Sequence, residues 1–333
     1  IPQASVADIY NLIISDLEFA IDNLPGTEAH TGEANKYWAH ALLGLVYMTR
    51  SSSAYGYNGD LPGLGTNDWQ LAYNHLDSVR ASGEYSFAPT YSEIFTTEGA
   101  ANVENVIYIP YENINLGVGG SWISTLTSDQ YAQYIGLSPD QGGIEERPVS
   151  TSFRATFDDT DLRLQFGIID TFTVTNEGRY LNYFSQNPIM IKFADDSRYG
   201  TGRTDWGVDF PVLRYTDVLM MMAECKLRGA AGTVDVAQVI NDVRERAGLA
   251  RDAAPTLDAL FSERRKEFFN EGKRWFDLYR SGNAVNVMQS WATSADDIEN
   301  VVNDDIKTGF LIYPIPRREL NTAPGLYTQN RDY

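Results

Sequence analysis

The sequence predicts a mainly α-helical protein in which helical N- and C-terminal regions flank a loop-rich middle. Apolar residues recur at helical spacing in the first hundred residues and again after residue 210. The intervening residues are instead rich in Gly, Tyr, Asn and Thr and contain only short apolar runs. We therefore predict a single domain over residues 1–333, made of N-terminal helices at 1–85, a mixed insertion at 86–209 and C-terminal helices with an extended tail at 210–333.

The N-terminal region contains three helical patterns. Ser5 can cap the first helix, Asp8 suits the dipole of its first turn, and a Pro-Gly pair at 25–26 ends it. Its apolar stripe consists of Ile9, Leu12, Ile13, Leu17, Ala20, Ile21 and Leu24. Further helices are predicted at 34–50 and 68–81. Helix pairs of this length, with alanines at close crossings, are typical of tetratricopeptide-type packing, so we expect them to form a scaffold.

Beyond residue 85 the predicted elements change character. Short strands, such as one at 106–109, are expected among loops and small helices. Helical periodicity returns at 213–227 and 234–247, and is strongest at 257–280. Two prolines, Pro314 and Pro316, should keep the terminal segment extended.

Composition excludes several classes of function. Lys and Arg number 26 against 45 Asp and Glu, so the net charge is -19 and a nucleic-acid partner is disfavoured. Cys225 is alone, and with three histidines there is little material for zinc or catalytic-triad chemistry. No apolar run reaches the ~20 residues of a membrane helix. We expect no cofactor and no metal, although the cluster Asp158, Asp159 and Asp161 leaves calcium open.

The segment 263–280, ERRKEFFNEGKRWFDLYR, is the most distinctive of the chain. Apolar side chains at helical spacing on two of its sides indicate a helix packed between neighbours. Its charges fall at spacings of three and four residues, which predicts ion pairs of Glu271 with Arg274, Arg274 with Asp277, Lys273 with Asp277, and Asp277 with Arg280. A structural, ion-paired role is expected for Arg264, Glu267, Glu271, Arg274 and Asp277; an acid–base site built on Glu267 and Glu271 is the alternative.

This segment resembles the signature helix of the SusD/RagB family. Three further stretches occur in the order in which that family has them. They are FPVLRYTDVL at 210–219, followed by Ala223-Glu224; YPIP at 313–316, followed by ELN at 319–321 and QN at 329–330; and a helix at 9–25 that contains ISDL. Four such segments in order span nearly the whole chain.

The resemblance implies a tetratricopeptide-like helical scaffold that supports a loop-rich ligand face. It also implies a lipoprotein on the outer-membrane cell surface that binds a glycan nutrient, without catalysis, for a SusC-like TonB-dependent transporter. Family members usually begin with a lipidated cysteine and an earlier helical segment. Because Cys225 lies deep in a predicted helix, we expect that anchor, and part of the ligand face, to lie outside this chain.

Candidate ligand contacts lie in the insertion, where the family often places its ligand-contacting aromatic residues. Sugar binders stack aromatic rings on the sugar face and surround them with polar groups. Trp122 follows a glycine-rich stretch and is the first candidate; Tyr131 and Tyr134 should share one helical face. Further candidates are Asn115, Gln133 and, more weakly, Trp206. Alternatively, Trp122 plugs the interface between the insertion and the scaffold.

Three other functions remain open on the sequence. Peptide capture, as in RagB-like members, is the first alternative within the family. A glycoside hydrolase would need two carboxylates facing across a cleft, whereas the adjacent aspartates at 158–161 suit helix caps or turns better. The third alternative is a structural adaptor without a small-molecule ligand. Neither glycine-rich loop, at 117–120 or 200–202, has the context of a phosphate loop.

Overall fold

The computed structural model describes residues 3–28, 30–56, 63–97, 99–114, 117–136, 149–176, 179–294 and 305–333. As predicted, the fold is mainly helical. The helices are α1 (Val6–Asn23), α2 (Lys36–Gly56), α3 (Trp69–Ala81), α4 (Glu93–Thr96), α5 (Asp129–Tyr134), α6 (Thr151–Arg154), α7 (Leu162–Gly167), α8 (Tyr215–Leu227), α9 (Val236–Arg246), α10 (Leu257–Glu267), α11 (Arg274–Ser281), α12 (Ala284–Ala292) and α13 (Arg317–Thr322). The strands are β1 (Asn105–Ile109), β2 (Ile168–Asn176), β3 (Arg179–Met190) and β4 (Phe210–Arg214). Within the described residues, none of the helices combines the length and apolar character needed to cross a bilayer.

The N-terminal helices form where the sequence predicts them, but α2 continues six residues beyond its predicted end at residue 50, and one predicted face of α1 is wrong. The Ser5 hydroxyl accepts a hydrogen bond from the Asp8 amide and caps α1. Only the side of α1 that carries Ile14, Leu17 and Ile21 packs against the core formed with α2, α3 and α8. Leu12, although part of the predicted stripe, is 57% exposed. The helix has apolar residues on more than one side, and the packing of α2 covers only one of them.

Two small antiparallel sheets organise the insertion. In the first, β1 pairs with β4, so that Asn105 lies opposite Arg214 and the insertion is joined to the C-terminal region. In the second, β2 and β3 form a hairpin in which Ile168 lies opposite Met190. This hairpin is longer than the short strands predicted for the insertion. The helix predicted at 213–227 likewise begins only at Tyr215, because the residues before it form β4.

The single helix predicted at 257–280 is wrong. A turn separates α10 from α11, and in that turn Asn270 and Gly272 have φ angles of 60° and 73°. These left-handed conformations end a helix, and glycine adopts them without steric cost. The chain therefore changes direction within the signature segment.

The C-terminal tail is less extended than predicted. A 3₁₀ turn at Thr308–Leu311 precedes the two prolines, and α13 begins directly after Pro316. Proline is compatible with the start of a helix, where its missing N–H costs no hydrogen bond. The prolines therefore end one segment and introduce a short helix.

Candidate functional site

Helix α5 presents two of the predicted ligand-contacting tyrosines. The Ser128 hydroxyl caps this helix by accepting a hydrogen bond from the Tyr131 amide at 3.1 Å. Tyr134 is 48% exposed, whereas Tyr131 is 5% exposed. Their ring centroids lie 6.0 Å apart, and the Tyr134 ring lies 5.3 Å from the ring of Phe172 on β2. The three rings form an aromatic cluster whose outer member, Tyr134, offers a ring to solvent.

Phe172 is a member of this cluster that the sequence analysis did not single out. Its ring meets that of Tyr131 edge to face at 6.0 Å. The sequence signal for its position is the alternation of β-branched residues around it, which is typical of a strand. Thr171 and Thr173 are exposed on either side of the buried Phe172.

Trp122 lies at the boundary between the insertion and β4. Its indole is half-buried and meets the rings of Phe193 and Phe210 edge to face, at 4.6 and 5.1 Å. The Trp122 Nε1–H is buried and has no hydrogen-bond partner among the described residues. The indole therefore contacts the core along its edges while part of it reaches solvent. Both the ligand-stacking and the interface-plug interpretations of Trp122 stay predictions.

Two glycines of the glycine-rich stretch before Trp122, Gly119 and Gly120, pack closely against neighbouring chain segments. A Cβ atom at Gly119 would lie 2.5 Å from the Cα of Asp205. The amide of Gly120 donates a hydrogen bond to the Trp206 carbonyl at 2.8 Å. These glycines thus permit close approach of two backbones.

Trp206, the weakest of the predicted ligand contacts, lies in the hydrophobic core of the insertion. It is 2% exposed, its Nε1 donates to the Ser124 hydroxyl at 3.0 Å, and its ring packs edge to face on Tyr199. Because the hydrogen bond satisfies the buried N–H, this position suits a structural role. A ligand would reach Trp206 only after the insertion had opened.

Of the two remaining candidate ligand contacts, Gln133 and Asn115, the structure describes Gln133. Gln133 lies on α5 between the two tyrosines and is half-buried. Asn115 lies outside the described residues. The structure thus brings Tyr131, Gln133 and Tyr134 together on one helix and places the two tryptophans in a neighbouring cluster. Ile135 and Ala194 pack against both groups and connect them.

Beneath this region lies a buried ionic network centred on Arg214. Its guanidinium donates hydrogen bonds to Glu104 at 3.0 Å, to Glu267 at 2.9 Å and to Glu271 at 2.8 Å. Lys192 donates to Glu271 at 2.6 Å. Burial lowers the pKa of Lys192 to about 8, although the neighbouring Glu271 acts in the opposite direction. All of these groups are buried, and their mutual pairing offsets the cost of removing them from water.

A second set of buried ion pairs joins α8, α10 and α11. Arg264 contacts Asp217 at 2.7 Å and Asp277 at 3.0 Å, and Arg280 contacts Asp277 at 2.7 Å and Glu224 at 3.1 Å. Of the four ion pairs predicted within the signature segment, the structure contains the one between Asp277 and Arg280.

The three other predicted ion pairs are wrong. Glu271 binds Arg214 and Lys192 instead of Arg274, and Lys273 lies 3.1 Å from Asp217. In the described part of the chain, Arg274 has no ion pair. The turn between α10 and α11 prevents the pair of Glu271 with Arg274, since spacings of three and four residues bring side chains together only within a continuous helix. Lys273 and Arg274 lie at the start of α11, within one turn of Asp277, but the Asp277 carboxylate is bound by Arg264 and Arg280 instead.

The surroundings of the buried carboxylates argue against the alternative interpretation, an acid–base site built on Glu267 and Glu271. Burial alone would raise the pKa of Glu267, but Arg246, Arg214 and Arg163 outweigh it and lower the pKa to about 2. Asp161 is fully buried, caps α7 and pairs with Arg163 at 2.8 Å. Glu267, whose low pKa keeps it ionised, cannot donate a proton as a general acid.

The exposed aspartates also make local contacts. Asp158 accepts hydrogen bonds from the amide and hydroxyl of Thr160, as expected for a turn. Within the described ranges, no group of three or more His, Cys, Asp or Glu side chains has the geometry of a metal site.

Comparisons with known proteins agree with the signature segments. A model of the SusD family matches residues 150–333. A SusD-like protein of Bacteroides ovatus is 25% identical over 295 residues, which cover 81% of this chain and 50% of that protein. Surface glycan-binding protein A from Bacteroides thetaiotaomicron, in complex with laminarihexaose, has the same fold, with a TM-score of 0.78 and 22% identity over 99% of this chain and 72% of that one. A laminarin binding SusD-like protein gives a TM-score of 0.73 and 25% identity, over 99% of this chain and 70% of that one.

The solved structures show the fold of this chain, and the sequence comparisons show its family. The chain spans half the length of the Bacteroides ovatus relative that it matches. The family model covers more than half of this chain, including the signature segments after residue 210. This chain therefore belongs to the SusD family.

Proposed function

We propose that this chain binds a glycan at the bacterial cell surface, without catalysis, and presents it to a TonB-dependent outer-membrane transporter. The observation that carries the proposal is the exposed ring of Tyr134, held by Tyr131 and Phe172 on the insertion. A planar ring held by buried neighbours can stack on the apolar face of a sugar without losing much side-chain entropy. Two proteins of similar fold support the ligand class: a laminarin binding SusD-like protein, and a surface glycan-binding protein in complex with laminarihexaose.

In the proposed site, Tyr134 supplies the stacking surface and Gln133 a hydrogen-bonding group. Trp122 contributes through the part of its indole that reaches solvent. Its Nε1–H, which has no hydrogen-bond partner among the described residues, becomes available if the ring turns toward ligand. Tyr131 and Trp206 support the site from beneath because both are almost fully buried. The cell-surface location and the transporter partner follow from the family assignment and are part of the proposal.

We propose that the chain is not catalytic because of the positions and ion pairs of four carboxylates. Glu267 and Asp161 are buried in ion pairs, and Asp158 and Asp159 are adjacent in one turn. Hydrolysis of a glycosidic bond requires two carboxyl groups about 5–10 Å apart across a cleft, one of them protonated.

Isothermal titration with laminari-oligosaccharides, a wider glycan array and a peptide library tests the proposal. We expect binding to at least one glycan, no release of reducing ends on prolonged incubation, and no peptide binding. Binding to peptides alone would replace the ligand class. Release of reducing ends would make the protein a hydrolase, and the lack of any ligand would favour a structural adaptor.

A further inference from the structure

A cleft of about 270 Å³ lies between the start of α6 and the turn that joins α10 to α11. Its described lining consists of Val149, Ser150, Phe153, Arg265, Phe269, Asn270 and Arg274. We call it the arginine cleft, because two guanidinium groups line it and none of these seven side chains is acidic. This is unusual on a chain whose net charge is -19.

Arg274 is the distinctive group of the arginine cleft. It is half-buried, and among the described residues it has neither an ion pair nor a side-chain hydrogen bond, whereas Arg163, Arg214, Arg246, Arg264 and Arg280 are buried in ion pairs. Partial burial, together with the positive charge of Arg265, lowers the pKa of Arg274 to about 10. Asp277 acts in the opposite direction, but its carboxylate is bound by Arg264 and Arg280. A partly desolvated cation without a partner is unfavourable, and an anion in the cleft would relieve that cost.

The remaining walls of the arginine cleft suit an organic ligand better than a bare ion. The Arg265 guanidinium carbon lies 4.9 Å from the ring centroid of Phe153, and that ring lies 6.0 Å from the ring of Phe269. Phe153 is half-buried, so its ring provides an apolar surface beside the charges. The exposed side chain of Asn270, in the left-handed turn, adds an amide to the rim. Guanidinium, aromatic and amide groups together fit a ligand that carries an oxyanion on a ring with an apolar face.

We propose that the arginine cleft binds the oxyanion of an acidic sugar, either a carboxylate or a sulfate ester, with Arg274 as the principal contact. The sugar component of this ligand rests on the proposed glycan-binding function. The cleft is a site additional to the aromatic cluster of Tyr131, Tyr134 and Phe172, with which it shares no lining residue. A uronic acid and a sulfated sugar differ in the oxyanion but present the same hydrogen-bond acceptors to a guanidinium.

The test is a titration with glucuronate, glucose 6-sulfate, inorganic sulfate and neutral glucose, all at one ionic strength set with sodium chloride. Binding is followed by calorimetry and by the Arg274 Nε–H signal in proton–nitrogen correlation spectra, assigned from its loss in Arg274→Gln. We expect at least one of the acidic sugars to bind more tightly than glucose and to shift this signal. The preferred acidic sugar identifies the oxyanion.

Two variants control the test. Arg274→Gln should weaken binding of the acidic sugar at least tenfold. It should leave the melting temperature equal or higher, because it removes a charge that has no ion pair in the described part of the chain. Arg318→Gln makes the same change of charge at an exposed position on α13 and should leave the affinity within twofold. If Arg274→Gln does not fold, Phe153→Ala probes the same cleft through its aromatic wall.

Three outcomes would overturn the proposal: equal binding by the wild-type protein and Arg274→Gln, no preference for an acidic sugar over glucose, or binding of inorganic sulfate as tight as that of the sulfated sugar. A parallel titration with neutral laminari-oligosaccharides separates this proposal from the general function. If neutral glycans bind and acidic sugars do not, the arginine cleft fails as a site while glycan binding stands.

Discussion

Arg264 on α10 donates hydrogen bonds from Nε to both carboxylate oxygens of Asp277 on α11, at 3.1 Å each, and both side chains are almost completely buried. The two residues are thirteen positions apart and belong to different helices, because a left-handed turn at Asn270 separates them. The charges of the signature segment therefore connect helices to each other instead of stabilising one helix. Arg280 completes the arrangement by binding the same carboxylate from within α11.

Asp277→Ala should destabilise the protein by about 3–5 kcal/mol, because it leaves the buried guanidinium groups of Arg264 and Arg280 without their shared carboxylate. Urea unfolding, followed by circular dichroism, measures the change. Arg274→Gln, in the same signature segment, is the matched control and should change the free energy of unfolding by less than about 1 kcal/mol. Equal losses in the two variants would contradict the assignment of ion pairs.

Acid should destabilise the folded state in the range set by Glu267. Its pKa is about 2 in the folded protein, below the value of about 4.3 expected for the unfolded chain. The stabilisation, about 3 kcal/mol for this group, is thus fully present above about pH 5 and is lost as the pH falls through 4 toward 2. The pKa of Glu104 is lowered as well, because Arg246 and Arg214 outweigh the opposing effect of its burial.

Melting temperatures measured from pH 7 to pH 3 test this dependence. Glu267→Gln should lower stability at pH 7 and flatten the slope below pH 5. A slope that is unchanged by Glu267→Gln would show that other groups cause the acid sensitivity.

Tyr134→Ala should weaken glycan binding about tenfold while the melting temperature changes little, because about half of this side chain is already exposed to solvent. Trp122→Ala tests the second aromatic candidate. If its indole stacks on ligand, affinity falls and stability is nearly kept; if it plugs the interface, stability falls by about 3–5 kcal/mol and affinity is kept. Tyr313→Ala, at a tyrosine that is 77% exposed in the C-terminal tail, is the control and should change neither quantity. Wild-type affinity in Tyr134→Ala would remove α5 from the site.

The two sides of α1 should respond differently to a polar residue. Phe19 is 69% exposed, whereas Leu17 packs against the core. Phe19→Ser should therefore change the free energy of unfolding by no more than about 0.5 kcal/mol, and Leu17→Ser should cost about 1–3 kcal/mol. Thermal unfolding of both variants provides the comparison. A large loss in Phe19→Ser would mean that this face of α1 is covered in solution.

Much of the fold could be predicted because local signals determine it. The hydroxyl of Ser5 and the Pro-Gly pair at 25–26 bound α1 within one or two residues, and α3 and α9 begin and end close to their predicted positions. Capping and helical periodicity act over a few residues, so the sequence carries them directly. The family could be predicted too, because the signature segments and their order can be read directly from the sequence.

The candidate site was only partly predictable. The sequence placed Tyr131 and Tyr134 on one helical face, which is where the structure has them. It could not show that Tyr131 is buried while Tyr134 is exposed, because that difference depends on Phe172, about forty residues away on β2. Trp206 likewise has loop-like neighbours in sequence, and its place in the core depends on backbone pairing with Gly120 and Tyr199.

The sequence by itself determined the helical class, the principal caps and the set of charges that the core must neutralise. The tertiary structure decided which charges pair. Glu271 and Arg274 are three residues apart, yet the left-handed turn directs Glu271 toward Arg214 and leaves Arg274 in the arginine cleft. Coulomb energy depends on distance in space and on burial, and a single change of backbone direction alters both without changing any residue.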